Sequence, residues 1–187
     1  MPVKPLRIIL GIDPGIADTG YGVIRADGSR IEAISYGSIK TPKGETPSNR
    51  LVMLETALEQ HIQAHQPELL VIEQLFFAKN VTTAFTVAQA RGVVLLVAGR
   101  HQIPIHELTP LQVKQTVTGF GKADKKQVQQ MVKLLLKLET IPQPDDAADA
   151  LAIAIAGSNV ILWKIPKKTS FYSWVKSPRN TSRGCTI

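Results

Sequence analysis

Arg7-Ile8-Ile9-Leu10-Gly11-Ile12-Asp13-Pro14-Gly15 is an apolar run that ends in a carboxylate and is stopped by Pro-Gly. A short apolar run bounded by a turn signal reads as a buried strand. Asp13 closes it. Outward from this strand, Thr19 to Arg25 alternates and reads as a second strand. Asp27-Gly28 is a hairpin turn signal, and Arg30 to Ile39 reads as a third strand. The three predict an antiparallel meander. Ser48 is the expected N-cap of a helix running to about His65, with Leu51, Leu54, Leu58 and Ile62 on one face. Pro67 breaks the chain, and Leu69 to Glu73 is a short, wholly apolar strand that again ends in an acid.

Asn80 to about Arg100 predicts a helix with an unusually apolar second half (Val93, Val94, Leu95, Leu96, Val97, Ala98). Such a helix suits either a core or a face shared with a second subunit. Ile103 to Glu107 is the next strand. Thr109-Pro110-Leu111-Gln112 forms a capping box with proline at the first helical position, and a helix follows to about Val117. Gly119-Phe120-Gly121 ends it. Asp124 to Leu138 predicts a basic amphipathic helix, and Asp145 to Leu162 a last one. Three strands, helix, strand, helix, strand and then helices make an α/β domain with one mixed sheet. Its expected limits are residues 1–163, with 164–187 a basic, flexible C-terminal tail.

Charge sharpens this picture. The 187 residues carry a formal charge of +7, but six basic residues and no acid lie between Lys164 and Ile187, and removing those six leaves +1. A second basic block spans Thr109 to Leu138, with Lys114, Lys122, Lys125, Lys126, Lys133 and Lys137 against Asp124 alone. From Glu139 to Trp163 the sign reverses, with Glu139, Asp145, Asp146 and Asp149 and no base. Basic residues beside clustered carboxylates suit an enzyme that holds phosphates and divalent cations together. Solvated helix faces produce similar counts, so charge supports this only in company. One cysteine, Cys185, excludes an internal disulfide and a cysteine-based zinc site and fits the cytoplasm. No apolar run is long enough for a transmembrane helix or a secretory signal.

The acids carry the chemistry. If the strands ending in Asp13 and Glu73 are parallel neighbours, both acids meet at one sheet edge, where α/β sheets bind ligands. Taken alone, Asp13 also reads as a turn former before Pro-Gly, and Glu73 as a strand-end charge. Asp146 and Asp149 share a helix face, as do Asp145 and Asp149. Acids in a first helical turn also complement the helix dipole. Together, close carboxylates repel unless cations neutralise them. Two hard cations about 3.5–4 Å apart, bound by carboxylates and substrate phosphate, would do so. His61, His65, His101 and His106 are scattered and favour no zinc site.

A family resemblance covers about residues 7–158. Ile9-Leu10-Gly11-Ile12-Asp13-Pro14-Gly15, followed by Thr19-Gly20-Tyr21-Gly22-Val23-Ile24, resembles the opening of the RuvC Holliday-junction resolvases. Ile72-Glu73-Gln74-Leu75-Phe76-Phe77-Ala78-Lys79-Asn80, Ala88-Gln89-Ala90-Arg91-Gly92, Gln112-Val113-Lys114-Gln115-Thr116-Val117 and Asp146-Ala147-Ala148-Asp149-Ala150-Leu151-Ala152 match in the same order. The resemblance implies an RNase H-like fold, a central mixed five-stranded sheet flanked by helices. It implies a homodimer that makes paired, symmetric nicks in strands of like polarity across a four-way DNA junction, in recombination and repair. It assigns the metal ligands to Asp13, Glu73, Asp146 and Asp149, and so selects Asp146 over Asp145, leaving Asp145 as a cap. It implies two Mg2+ per site, with Mn2+ as substitute, and partners of the RuvA and RuvB branch-migration type. Phe76 matches an aromatic that stacks on a base near the crossover, with Phe77 beside it as an alternative. Lys114 and Lys125 match basic residues at the scissile phosphate. Lys79, Lys122 and Lys126 are further expected DNA contacts. The tail inherits no role.

The expected reaction is in-line, two-metal hydrolysis of a phosphodiester, leaving 5′-phosphate and 3′-hydroxyl ends. Asp13 is expected to bridge the metals, and Lys114 and Lys125 to stabilise charge on the phosphoryl group. Three other readings compete. Asp13-Pro14-Gly15 also fits the phosphate loop of sugar-kinase or actin-like ATPases, but those need two related domains and do not predict Asp146 and Asp149. A non-cutting binder of branched nucleic acid would not need the full set of acids. A related nuclease acting on RNA is disfavoured by the Phe76 region and the Gln112–Val117 block.

Overall fold

In a computed structural model, which describes residues 7–27, 30–74 and 81–160, the first strand lies at the centre of one five-stranded sheet. The strands are β1 (Arg7–Asp13), β2 (Asp18–Ala26), β3 (Ile31–Lys40), β4 (Leu69–Glu73) and β5 (Ile105–Leu108), in the order β3-β2-β1-β4-β5. β1–β2 and β2–β3 are antiparallel, the predicted meander; β1–β4 and β4–β5 are parallel. The mixed sheet is therefore as expected. Helices α1 (Pro47–His65) and α2 (Val81–Arg100) cover one face, and α3 (Pro110–Thr118), α4 (Lys125–Leu135) and α5 (Asp145–Val160) the other.

Side chains alternate across a strand, and this parity positions the site. Leu10, Ile12, Leu70 and Ile72 pack with Leu54, Leu58, Ile62 and Val94 of α1 and α2. Ile9, Leu69 and Val71 pack with Leu151 and Ile155 of α5 and Val128 and Val132 of α4. Continuing the odd-numbered series along each strand brings Asp13 and Glu73 to the α5 side. The register pairs Ile12 with Ile72, so the two acids emerge side by side.

Helix α5 lies unusually close to the sheet because β1 and β2 offer glycines beneath it. A Cβ on Gly20 would stand 2.0 Å from the Asp146 carbonyl oxygen, and one on Gly11 2.3 Å from that of Ala150. Ala147, Ala148, Ala150, Ala152, Ala154 and Ala156 are all buried on the helix side. Small residues on both surfaces allow this approach.

Several boundaries differ from the sequence reading. The N-cap of α1 is Thr46, whose Oγ1 accepts from Asn49 N at 3.3 Å, not Ser48. Pro47 lacks an N–H and has its φ preset, so it takes the first helical position and moves the cap back two residues. β5 begins at Ile105 rather than Ile103; as an edge strand it buries only Leu108 fully. α4 ends at Leu135, because Leu136 is the C-cap and Lys137 adopts φ 54°. The capping box at Thr109 and Gln112 is present as expected (3.1 and 2.8 Å). A second joins Asp124 and Gln127. Phe76, Phe77, Lys79 and the tail 164–187 lie outside the described residues.

Candidate active site

Three of the four expected acids converge. Carboxylate oxygens of Asp13, Asp146 and Asp149 all lie within 4.8 Å of one another, and no histidine joins this group. Asp13 comes from the end of β1, Asp146 and Asp149 from the first turns of α5. Glu73 is the immediate strand neighbour, set off from this tight trio but near enough to be coupled to it. Burial, then Asp149, raises the Glu73 carboxyl, while Lys114 of α3 opposes the rise. Asp13 is most perturbed: burial first, then Asp149, Glu73 and Asp146, push its carboxyl from 3.8 to about 7. Asp146 is raised by burial and by Asp18, partly offset by Lys125. Carboxylates crowded this way ionise together only when positive charge is supplied.

Lys125, the first residue of α4, supplies some of it. Its Nζ lies 3.1 Å from Asp149 and 3.2 Å from Asp145. Burial works against the ammonium, but the hydrogen bonds and charges of Asp149 and Asp145 hold its pKa above the ordinary lysine value. Asp145 therefore departs from its expected role as a cap. It is the first residue of α5, and its carboxylate is engaged sideways, by Lys125 and by Gln129 Nε2 at 3.1 Å. Lys114 is half-buried on the Glu73 side, whereas Lys122, in the turn before α4, and Lys126 are exposed.

Two contributors were not singled out from sequence. Arg91 of α2 donates from Nη1 to the Glu73 carbonyl at 2.8 Å and from Nη2 to Glu107 at 2.7 Å. It ties the ends of β4 and β5 together at the position of Glu73. It lies in the Ala88–Gly92 block, a signal that marked the segment but no role. Asp18, at the start of β2, adds negative charge beside Asp146 and accepts from Ser38 Oγ at 3.3 Å. The loop between β1 and β2 is pinned by Thr19 Oγ1 donating to the Gly15 carbonyl at 2.5 Å and Thr41 N to that of Ala17 at 3.0 Å. Arg50 Nε donates to Thr41 Oγ1 at 2.8 Å. The turn carrying Asp13 is thereby held rigid.

An all-oxygen cluster with two flanking lysines can bind hard divalent cations and a phosphate. The family model described as crossover junction endodeoxyribonuclease RuvC matches residues 9–157. The chain is 51% identical over 158 residues to the crossover junction endodeoxyribonuclease RuvC of Heliobacterium modesticaldum, covering 84% of this chain and 98% of that one. It is 53% identical over 147 residues to the protein of that name from Brevibacillus brevis, covering 79% and 89%. Among solved structures, that of Thermus thermophilus RuvC in complex with a Holliday junction substrate superposes with a TM-score of 0.79 at 32% identity, covering 82% of this chain and 94% of that one.

Proposed function

The chain belongs to the RuvC family of crossover junction endodeoxyribonucleases, and from that premise we propose how its residues carry out the reaction. It is a nuclease that cleaves phosphodiester bonds and resolves Holliday junctions in DNA recombination. The observation that carries the mechanistic reading is the Asp13–Asp146–Asp149 cluster beside Lys125.

Asp13, Glu73, Asp146 and Asp149 would hold two Mg2+, or Mn2+ in their place. The donor set fits: every ligand atom is a hard oxygen, and Asp13, pushed to about 7, needs added positive charge to ionise fully at neutral pH. When bound, the cations supply water activation and neutralisation of the leaving oxygen. The protein's own contribution is position and charge. Asp13 stands on the central strand, between Glu73 on one side and the two α5 acids on the other. Arg91 holds the backbone of Glu73 in place. Lys125 can turn from Asp149 toward an arriving phosphate, and Lys114 approaches from the Glu73 side; both stabilise the extra negative charge of an in-line displacement. Lys122 and Lys126 bind phosphates further out. Phe76 and Lys79 remain DNA contacts on the strength of the family resemblance.

Paired nicks need two such sites, and the reading includes a homodimer. It is supported by α2, whose inner face (Ala90, Val94, Val97, Ala98) is core. Its outer face presents Phe85 (67% exposed), Gly92, Leu96 (51% exposed) and Gly99 at coiled-coil-like spacing. Partners of the RuvA–RuvB type and a cytoplasmic location complete the proposal. No helix among the described residues is long and apolar enough to cross a membrane.

The test is cleavage of a labelled synthetic four-way junction, beside a matched linear duplex, with and without magnesium, for wild type and Asp13→Asn. Symmetric, magnesium-dependent nicks in the junction alone, lost in the variant, are expected. Tight junction binding with no cutting in magnesium or manganese would instead favour a binding protein.

A further inference from the structure

The turn between α3 and α4 carries an aromatic side chain that neither the core nor the carboxylate centre uses. Phe120 is 56% exposed, yet its backbone is fixed on both sides. Its N–H donates to Thr118 Oγ1 at 3.1 Å, and its carbonyl accepts from Thr118 Oγ1 at 2.9 Å and from Ala123 N at 3.1 Å. Gly119 provides the left-handed φ of 75° that the turn requires, and Gln115 Nε2 donates to its carbonyl at 2.7 Å. A ring presented on so rigid a support gives up little freedom when a ligand meets it.

Beside the ring opens a cleft of about 430 Å³. Phe120 and Met131 form an apolar wall, and Lys126, Gln127 and Gln130 a polar rim. Asp124 also lines it, but that carboxylate accepts from Gln127 N at 2.9 Å and faces the positive end of α4. The Gln127 Oε1 is in turn occupied by Asp124 N at 2.9 Å, which leaves its NH2 group as a donor. Lys122 and Lys126 are both exposed. Within the lining, Lys126 is balanced by the capped Asp124, so the rim is rich in donors, and Lys122 adds a second exposed cation in the same turn, outside the cleft; this set suits a sugar–phosphate backbone.

The cleft is close in the chain to the catalytic centre. Lys126 follows Lys125, whose Nζ is 3.1 Å from Asp149. Phe120 is five residues from Lys125, which limits their Cα separation to about 18 Å. That is roughly the rise of five base pairs at 3.4 Å each.

We propose that this turn is a second DNA-contact site. The cleft takes the backbone of one duplex arm within about five nucleotides of the scissile phosphate; the Phe120 ring packs on a deoxyribose, and Lys122 and Lys126 hold the flanking phosphates. This rests on the reading of the chain as a junction nuclease and adds an apolar anchor outside the metal centre.

Fluorescence anisotropy of a labelled four-way junction, in EDTA and across a salt series, tests it with full-length wild type, Phe120→Ala, Phe120→Trp and Lys126→Ala. Phe120→Ala should weaken binding about tenfold with the salt slope unchanged, because no phosphate contact is lost. Phe120→Trp should restore affinity to within about twofold. Lys126→Ala should lower the slope by about one. Wild-type affinity in Phe120→Ala, or equal weakening by alanine and tryptophan, would overturn the proposal while leaving the nuclease reading intact, since wild type would still cut junctions in magnesium. A wild type that neither binds nor cuts a junction would remove both.

Discussion

Asp13 is where the demands of folding and of catalysis part. Without metal, its carboxyl titrates near 7 instead of 3.8. Between those values the folded chain holds a proton that the unfolded chain has released, so stability falls as pH rises through the window. Above about 7 the loss is complete. Asp13→Asn has no such charge. In EDTA it should raise Tm by roughly 5–10 °C at pH 8 and change it little at pH 4, while junction cleavage in magnesium is abolished. Thermal melts at the two pH values check this; equal Tm changes at both would contradict the assigned cause. The acids themselves were legible in the sequence because each ends an apolar run or enters a core helix. The role of Asp145 was not, since a cap and a Lys125 partner look identical until α4 is docked beside α5.

At the level of elements, the site depends on how closely α5 approaches β2. Gly20 faces the Asp146 carbonyl with no room for a methyl group. Gly20→Ala must push the first turn of α5 outward, carrying Asp146 with it. Overpacking of this kind costs about 1–3 kcal/mol, and misplacing a catalytic group by an ångström can cost about a hundredfold in rate. We expect Tm to drop by several degrees and cleavage to drop at least tenfold more than junction binding. Melting, binding and single-turnover cleavage separate the two effects; unchanged cleavage would show that α5 accommodates the methyl. The strands and caps were largely readable from period and turn chemistry, as β1, β4 and the Thr109 box demonstrate. The α1 cap was misread because Ser48 is an equally good capping residue by type, and only the position of Pro47 decides for Thr46.

For the whole molecule, the outer face of α2 would, in the proposed homodimer, join assembly to catalysis. The helix presents Leu96 outward and places Arg91 on Glu73. Leu96→Asp removes no core contact, so the chain should still fold. Light scattering should show half the wild-type mass, and paired nicking should give way to slow, uncoordinated single nicks. A dimeric Leu96→Asp protein would place the subunit contact elsewhere.

The sequence by itself determined the strands that end in Asp13 and Glu73 and the basic and acidic blocks, because burial period and turn chemistry are local. The tertiary structure decided how closely the acids meet, with Asp13, Asp146 and Asp149 in one tight group and Glu73 set beside it. Asp13 and Asp149 are separated by well over a hundred residues, and their convergence depends on strand register and on the depth at which α5 packs. It alone decided that Arg91 serves Glu73 and that Lys125 bridges two aspartates. Those contacts exist only once separate elements share one core, and no local signal encodes the distance between them.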